Sequence, residues 1–460
     1  MSFHNFFSPS ILVSRWKEQL LGKLPDGLSK TILFSRQPLM RILRGCLFTL
    51  CLVVPVLSFR RISASLMPAN FYQRDFIQEY LLAKALLKGE NLYLPLVDLA
   101  KRLVPDLPVL LFSHPTPHPP PAALFFLPLA FLTYEQAVVV WFGIEIVCIF
   151  SIVAMLLKWL GVAKNWKMVA LFSVILMAWE PFVIDIALGQ ISVFLLLFLL
   201  GSWLCLRQDH DVVGGILLGV VLALKLMAWP IVIYLVLRKR WRAVISSGLV
   251  VGISNLIMGK LIGFDTLLFY YFSVGPTVSA IYRGDVWNLS AWSMGWTLWD
   301  SFYSSISPLL QLSSLVDLIS RFAPYSAVLS SLLLTALSLY FSLQCKVFDL
   351  AFGILTCASI LVNPVTWAHY FTWLVIPLAV LGRYLYLLKF PRPELRLTVL
   401  CVLIMLYSWG LVSGLAYCLV RFPTYGASLN FLEVFLYLPA FGVLFLMGLL
   451  FRINRECVQC

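Results

Sequence analysis

Few side chains in this 460-residue chain can ionise, and those in or beside apolar stretches are the first candidates for chemistry. Asp75 and Glu79 lie together in a polar segment. A carboxylate can act as a general base, but a carboxylate at the start of a helix is also an ordinary capping group. From the residues alone, both interpretations of Asp75 stay open.

Several ionisable residues fall within or next to apolar runs: Glu145, Glu180, Asp185, Lys225 and His369. A charge at membrane depth is costly, so each of them is a functional candidate. Lys225 interrupts an apolar run, where it can either reach toward an interface or bind a phosphate. His369 follows an Asn-Pro pair that predicts a turn, and a histidine there can be structural or catalytic.

His114 and His118 lie in a proline-rich run, residues 114–121. Consecutive prolines favour an extended chain, so no helix brings the two histidines to one face. A shared metal is therefore less favoured than a rigid lead-in to the next apolar segment. Asn288 begins an Asn-Leu-Ser sequence, formally a glycosylation site in a eukaryotic protein.

The composition decides which elements hold these residues. The chain is 61% hydrophobic and only 12% charged, with a mean hydropathy of +0.93. Average soluble proteins contain about 25% charged residues. We therefore expect an all-α, polytopic helical membrane protein, which excludes a cytosolic enzyme, a secreted disulfide scaffold and a nucleic-acid-binding domain. The net charge of +13 fits short basic gaps between spans.

Hydropathy predicts about twelve transmembrane helices with both termini in the cytoplasm. The first span covers residues 42–59, and the later apolar runs cover 121–133, 135–158, 168–188, 190–206, 212–237, 243–262, 324–345, 347–362, 368–388, 397–419 and 431–451. The run 121–133 is short of the ~20 residues that a crossing needs, and loop charges favour a dip into the outer interface. The run 212–237 is predicted to be two short helices that meet near Lys225.

Two long polar loops fall on the non-cytoplasmic side of this topology. The first covers residues 60–120 and contains a helical pattern that ends at Gly89, and the second covers 263–307. The predicted organisation is a cytoplasmic segment (1–40) without a signal peptide, a catalytic module (41–262), the second loop (263–307) and a C-terminal bundle (308–460). Paired external loops over a helical bundle indicate chemistry or capture at the outer face.

Several short motifs occur in a characteristic order: residues 75–80 through 88–93, 118–124, 188–192, 215–225 and 363–369. In this order and spacing the chain resembles glycosyltransferase family 87, which belongs to the GT-C superfamily of polyprenyl-phosphate-sugar-dependent enzymes and includes mycobacterial mannosyltransferases. There are departures from the family pattern. His118 stands where the family usually has tyrosine, Ala368 stands where an acidic or polar residue is common, and Asn288 begins only a loose version of an Asn-Gln-Ser element.

The resemblance implies a GT-C fold and an inverting transfer of mannose, or a similar hexose or pentose, from a polyprenyl phosphate to a lipid or glycan acceptor. Asp75 would be the general base. The implied substrate-binding residues are Lys225 and His369 near the phosphate, Gln190 as a neutral donor, Asp185 at sugar hydroxyls, and Tyr80 and Asn288. No cofactor, nucleotide or metal is implied.

The resemblance also implies a bacterial inner (plasma) membrane, with the active site on the periplasmic or extracellular face. A secondary transporter or lipid flippase is the alternative, with Glu145 as the mid-membrane carboxylate that such a protein would use. The two halves of the sequence show no convincing internal repeat, and the polar groups gather near one face, which favours the enzyme. An inactive assembly subunit is a third option.

Overall fold

The structure is a computed structural model that describes residues 53–105, 113–162, 165–285, 287–306, 323–388, 393–409 and 435–459. Throughout these ranges the regular secondary structure is helical, which confirms the predicted helical class. The chain divides into two compact units, Met1–Leu57 and Ser58–Cys460, and the site residues described below all belong to the second unit. The predicted cytoplasmic segment and most of the predicted first span lie outside the described residues.

The helices vary widely in length. The α-helices are Ile77–Lys88, Leu96–Leu103, Pro120–Phe126, Tyr134–Trp159, Trp166–Met177, Glu180–Leu188, Ser192–Leu206, Asp211–Leu224, Trp229–Leu237, Trp241–Ile262, Phe264–Phe269, Gly275–Ile281, Ala291–Ile306, Ala323–Gln344, Phe348–Leu361, Val375–Leu387, Pro393–Leu406 and Leu438–Gln459. Shorter 3-10 segments are Pro68–Gln73, Leu127–Phe131, Leu226–Ala228 and Ala368–Leu374, and Tyr270–Val274 is a π-helical turn.

Five helices in the described residues are long and apolar enough to cross a membrane: Tyr134–Trp159, Trp241–Ile262, Tyr325–Gln344, Ala368–Leu387 and Phe435–Cys457. A bent pair, Trp166–Met177 with Glu180–Leu188, brings the number to six if it counts as one span. These helices establish a helical membrane protein, but they do not support the predicted number of about twelve spans. Many of the predicted runs are instead shorter apolar helices of 10–17 residues.

Breaks in the predicted runs explain the shorter helices. The run 168–188 is not one straight span, because its two helices meet at 81°. The second helix starts at Glu180 with a proline in its first turn, a common way to begin a helix. The run 212–237 breaks at Lys225, as predicted, where the backbone is extended with φ −160° and ψ 120°.

The apolar run 121–133 is also too short to cross a membrane, as predicted. Its helical part, Pro120–Phe131, is at most 12 residues long and rises about 18 Å, well short of the ~30 Å hydrocarbon core. In the first loop, helix Ile77–Lys88 ends at Gly89, which has φ 68° as a left-handed cap requires. The second loop is itself largely helical, since it holds three of the helices named above.

Helix Phe348–Leu361 is at the centre of the bundle, and every one of its residues after Phe348 is buried. Helices Ala323–Gln344, Val375–Leu387 and Leu438–Gln459 pack around it. At its first turn Asp349 accepts a hydrogen bond of 2.9 Å from Arg207 Nε, so the one acidic group of this helix is paired.

A second tight contact fixes helix Asp211–Leu224, which leads to Lys225. Gly215 and Gly219 lie one helical turn apart and face helix Trp241–Ile262. A Cβ at Gly215 would lie 2.3 Å from the carbonyl oxygen of Ala243, and one at Gly219 would lie 2.8 Å from that of Ser247. Such small residues let membrane helices approach closely. The two glycines therefore set the position of the helix end that carries Lys225.

Candidate active site

A large cleft joins the two predicted loops to the breaks in the apolar helices. Its volume is about 1440 Å³, and its lining includes Asp75, Gln190, Lys225 and His369. A typical site for one small ligand occupies roughly 300–1,000 Å³, so this cleft has room for two substrates. The structure thus brings together four of the predicted site residues, which are separated by up to 294 positions along the chain.

Asp75 lies between the 3-10 segment Pro68–Gln73 and helix Ile77–Lys88. The N-cap residue of that helix is Phe76, and among the described residues no side chain caps it, so Asp75 does not act as the cap. The Asp75 carboxylate is partly exposed to the cleft and accepts a hydrogen bond of 2.6 Å from Gln190 Nε2. Asp75 is therefore not a capping residue, and its carboxylate faces the cleft.

The turn that carries Gln190 is fixed against the Asp75 segment. Helix Glu180–Leu188 ends at Gly189 with φ 67°, and the Leu188 carbonyl accepts a 3.1 Å hydrogen bond from the Phe76 amide. A Cβ at Gly189 would lie 2.9 Å from both Phe76 Cβ and Arg74 Nη2. Only glycine fits here, because the position needs both a positive φ and the space of a missing side chain.

Arg74 is fully buried beside the same turn, and no local motif predicted its role. Its Nη2 donates a 2.7 Å hydrogen bond to the Ile186 carbonyl, and its Nη1 donates a 3.0 Å hydrogen bond to Ser65 Oγ. The guanidinium therefore connects the segment before Asp75 to the end of helix Glu180–Leu188, and it keeps Gln190 within reach of the carboxylate.

The surroundings of Asp75 tune its acidity. Burial raises the pKa of Asp75 from 3.8 to about 6, and this rise is opposed by the hydrogen bond from Gln190. The charge of Glu79 raises the pKa further, whereas His118 and Lys225 lower it. A carboxylate with a pKa near 6 is mostly ionised at neutral pH and is a stronger base than an exposed aspartate.

Lys225 ends helix Asp211–Leu224 and lines the cleft. Its Nζ lies 4.0 Å from the centre of the Tyr370 ring, which is a cation–π contact. The contact joins the break at Lys225 to the 3-10 segment Ala368–Leu374. A cation at a helix C-terminus is also favoured by the helix dipole. The ammonium group is thus held at the cleft wall, where it can meet an anionic ligand.

His369 is the second residue of the 3-10 segment Ala368–Leu374 and lies edge-on to Tyr370, with 4.5 Å between the ring centres. The residue is 3% exposed. Its Nε2 is buried and has no hydrogen-bond partner within the described ranges. Since buried polar atoms are nearly always paired, a ligand in the cleft is a reasonable partner for this nitrogen.

Three predicted substrate-binding residues are absent from the part of the cleft lining that the structure describes: Tyr80, Asp185 and Asn288. The Tyr80 hydroxyl donates a 2.8 Å hydrogen bond to the Leu132 carbonyl. The Asp185 carboxylate is fully buried and accepts hydrogen bonds of 3.2 Å from the Ser192 and Val193 amides, so it caps helix Ser192–Leu206. These positions do not support direct contact with substrate.

Asn288 connects the second loop to the turn before His369. Its Nδ2 donates hydrogen bonds to the carbonyls of Tyr282 (3.1 Å) and Pro364 (2.9 Å), and its Oδ1 accepts one from the Thr366 amide (2.9 Å). A buried amide that uses both ends of its side chain in this way is a structural residue. It shapes the cleft wall without lining it.

The two histidines of the proline-rich run have different partners. His118 Nε2 lies 2.9 Å from Glu79 Oε1, and both side chains are buried. His114 Nε2 lies 2.5 Å from the hydroxyl of Tyr282 in the second loop. In the described part of the chain, no group of three or more His, Cys, Asp or Glu residues lies close enough to hold a metal ion.

The sequence interpretation missed an aromatic side of the cleft. Tyr282, Trp287 and Trp367 all line it, and the Tyr282 and Trp367 rings meet edge to face with centres 5.5 Å apart. We call these three residues the aromatic wall. Tyr282 and Trp287 lie in the second predicted loop and Trp367 lies in the turn before His369, and these places in the sequence were the available signal.

The fold and the site define a helical membrane protein with a large, mixed polar and aromatic cleft. A family model described as glycosyltransferase family 87 matches residues 117–364, slightly more than half of the chain. The chain therefore belongs to glycosyltransferase family 87 and is a membrane glycosyltransferase. Gln190 and Lys225 lie inside the matched region, whereas Asp75 and His369 lie outside it. No curated protein and no solved structure is significantly similar to the chain.

Proposed function

We propose that this glycosyltransferase moves a sugar, mannose or a similar hexose or pentose, from a polyprenyl-phosphate donor to a lipid or glycan acceptor, with inversion at the anomeric carbon. The observation that carries the proposal is the position of Asp75 in the cleft that also holds Lys225 and His369. A general base and two groups suited to a phosphate are the parts that such a transfer needs.

Asp75 is the proposed general base. Its carboxylate accepts the proton of the acceptor hydroxyl while the hydroxyl oxygen bonds to the anomeric carbon. The bond from that carbon to the phosphate oxygen breaks, and its electron pair leaves with the lipid phosphate. The leaving group is a stable anion, so one carboxylate suffices and no protonating acid is required.

Lys225 and His369 Nε2, which has no hydrogen-bond partner among the described residues, are the proposed partners of the leaving phosphate. Their positions in the cleft wall suit them to stabilise the charge that develops there. Gln190 has a different proposed role from the predicted one, because its amide nitrogen already donates to Asp75. Its Oε1 is buried without a partner among the described residues and can accept a hydrogen bond from a sugar hydroxyl.

We also propose that the cleft opens on the non-cytoplasmic face, in the periplasm if the source is bacterial. Three basic residues lie next to helix ends on the side away from Lys225: Arg207, Lys239 and Arg240. The positive-inside rule assigns these basic ends to the cytoplasm. The topology of about twelve crossings with both termini inside remains part of this proposal.

The direct test is to incubate the purified protein with several polyprenyl-phosphate sugars and to measure release of the free lipid phosphate. We expect Asp75→Asn to reduce turnover by about 10²–10⁴-fold, the usual contribution of a general base. Asp98→Asn is the matched control, because Asp98 is an exposed carboxylate in the same loop. If Asp75→Asn keeps wild-type turnover, Asp75 is not the base.

A secondary transporter or flippase remains the alternative. Glu145 lies inside helix Tyr134–Trp159, and its carboxylate oxygens are buried without a hydrogen-bond partner in the described residues. If Glu145→Gln abolished lipid or solute movement in vesicles while Asp75→Asn had no effect on any activity, the transporter would be the better explanation.

A further inference from the structure

A smaller cavity of about 440 Å³ lies between two of the candidate spans, in the last turns of helices Tyr325–Gln344 and Phe435–Cys457. We call it the second cavity. Its described lining consists of six residues, none of which belongs to the described lining of the cleft: Tyr340, Phe341, Gln344, Phe451, Asn454 and Arg455. Because a spanning helix leaves the hydrocarbon core near its ends, the second cavity lies at the level of the lipid headgroups.

One side of the second cavity is aromatic and continues into a lipid-facing surface. The Phe341 and Phe451 rings join the two helices, with 4.7 Å between the ring centres. Tyr340 is exposed on the same helix, and Leu333 and Leu337, one and two turns before it, are exposed as well. Aromatic side chains are common where hydrocarbon meets headgroups. An acyl chain can therefore run from the second cavity along these leucines toward the middle of the bilayer.

The polar groups of the second cavity still have donors to offer. Asn454 is 3% exposed, and its Oδ1 accepts hydrogen bonds from the amides of Lys346 (3.1 Å) and Val347 (3.4 Å). This leaves the Nδ2 donors of Asn454 without a hydrogen-bond partner among the described residues. Arg455, one position further along the helix, is exposed and forms no ion pair with any described residue. An acceptor bound in the second cavity can therefore meet both an amide and a guanidinium.

The charge around the second cavity is positive. Arg238 Nη2 donates hydrogen bonds to the carbonyls of Leu343 (3.1 Å) and Cys345 (2.9 Å), which fixes its guanidinium at the end of helix Tyr325–Gln344. The nearby Glu456 already pairs with Arg452 at 3.6 Å. Three cations thus lie at or next to the second cavity without a carboxylate partner in the described part of the chain: Arg238, Lys346 and Arg455.

We propose that the second cavity binds the headgroup of an anionic phospholipid. Arg455 and the Asn454 amide donate to the phosphate oxygens, and an acyl chain lies along the exposed leucines. The surrounding cations favour a headgroup with a net negative charge over a zwitterionic one, because they repel its ammonium group. Basic pockets between membrane helices are a recognised way to hold such headgroups. The inference does not depend on the proposed sugar transfer.

The contacts of Arg238 also assign the lipid to one leaflet. Arg238 precedes Lys239 and Arg240, the basic residues that the proposed topology places in the cytoplasm. Its bonds to the carbonyls of Leu343 and Cys345 put the second cavity at the same level. The lipid therefore comes from the cytoplasmic leaflet, on the opposite side from the proposed transfer, and joins two spans without taking part in the reaction.

Native mass spectrometry of the full-length protein in detergent tests the proposal, with phosphatidylglycerol and phosphatidylcholine of identical acyl chains as probes. We expect phosphatidylglycerol to bind more tightly. Arg455→Gln should weaken its binding about fivefold, the contribution of one basic residue near an anionic surface, and Arg455→Lys should keep most of the affinity. Equal binding of the two lipids to wild type would overturn the proposal.

Arg242→Gln is the matched control, because Arg242 is an exposed arginine near the same proposed cytoplasmic surface but outside the described lining of the second cavity. Its phosphatidylglycerol affinity should match wild type. If Arg242→Gln and Arg455→Gln weaken binding equally, the lipid responds to surface charge in general and the assigned site is wrong. Arg455→Gln should also keep wild-type sugar transfer in detergent without added phospholipid, so lipid binding and the proposed function are tested separately.

A photoreactive phosphatidylglycerol shows where the lipid lies. We expect crosslinks in peptides that contain residues 340–344 or 451–455, and fewer of them in Arg455→Gln. An excess of inorganic phosphate should not remove them, because a free phosphate gains nothing from the apolar surface beside the second cavity. Crosslinks confined to other parts of the chain would refute the site. Complete competition by inorganic phosphate would mean that the second cavity binds a soluble anion and not a lipid.

Discussion

Removing the hydrogen bond between Gln190 and Asp75 tests the proposed base most directly. Gln190 Nε2 donates to Asp75 Oδ2 at 2.6 Å, and this bond keeps the pKa of Asp75 lower than burial alone would. A hydrogen bond to a charged group contributes about 1.5–3 kcal/mol, and one pH unit corresponds to 1.36 kcal/mol. Because Asp75 is partly exposed, the lower end applies, and Gln190→Leu should raise the pKa of Asp75 by about one unit.

The effect should appear in the pH dependence of kcat/KM for the donor. Wild type should lose activity as the pH falls through about 6, and Gln190→Leu should do so near 7. At pH 6 Asp75 is then half ionised in wild type and about one-tenth ionised in the variant, so activity should fall about fivefold. At pH 8 both carboxylates are ionised, so the pH-dependent part of the difference should vanish, and any loss that remains should come from the proposed sugar contact of Gln190 Oε1.

Gln208→Leu is the control for this experiment, because Gln208 is an exposed amide that bonds only to the Leu204 carbonyl four residues before it, as far as the described residues show. Its pH profile should match wild type. A uniform loss of activity for Gln190→Leu at every pH would mean that Gln190 acts on the substrate alone. An acid limb that stays at the same pH in Gln190→Leu would refute the electrostatic reasoning.

Three further predictions concern stability and charge. Asp75→Asn should raise the free energy of unfolding at pH 7–8 by up to about 3 kcal/mol, less any screening by cleft water. The gain should disappear below pH 4, because the raised pKa penalises only the ionised carboxylate. Thermal unfolding at several pH values measures this change. Gly215→Ala should lower the free energy of unfolding by about 1–3 kcal/mol. Gly248→Ala should be neutral or slightly stabilising, because nothing lies within 4 Å of the added Cβ. Lys225→Met should weaken donor binding and slow the release of lipid phosphate, and Lys225→Arg should keep part of the donor affinity and part of the rate. Lys260→Met should match wild type, because Lys260 lies outside the described cleft lining.

Local signals in the sequence predicted the helix ends that matter most. Gly89 and Gly189 end helices because each takes a positive φ, and Lys225 with a nearby proline predicted the break in the run 212–237. The bend in the run 168–188 was missed, although a Glu-Pro pair inside an apolar run is a recognisable start of a new helix. Local structure could therefore be predicted wherever one residue type restricts the backbone conformation.

Pairings between distant segments could not be predicted in the same way. The bond from Gln190 to Asp75 spans 115 positions, and that from His114 to Tyr282 spans 168. Asp185 is a carboxylate inside an apolar run, which is costly wherever it lies, and its observed partners are the amides at a helix N-terminus. Residue type tells which side chains need a partner but not which partner they find.

The site residues share one feature that also explains the short helices. Asp75, Gln190, Lys225 and His369 each lie at a helix end or in a break, and His118 precedes the helix that begins at Pro120. Irregular backbone at membrane depth is tolerated only where it is buried in protein or lines a cavity, since lipid cannot satisfy its polar groups. The cleft is such a cavity, so interruptions that keep apolar runs below spanning length also bring polar side chains to the cleft. A straight, uninterrupted helix at any of these breaks would satisfy its own backbone and leave the cleft without that side chain.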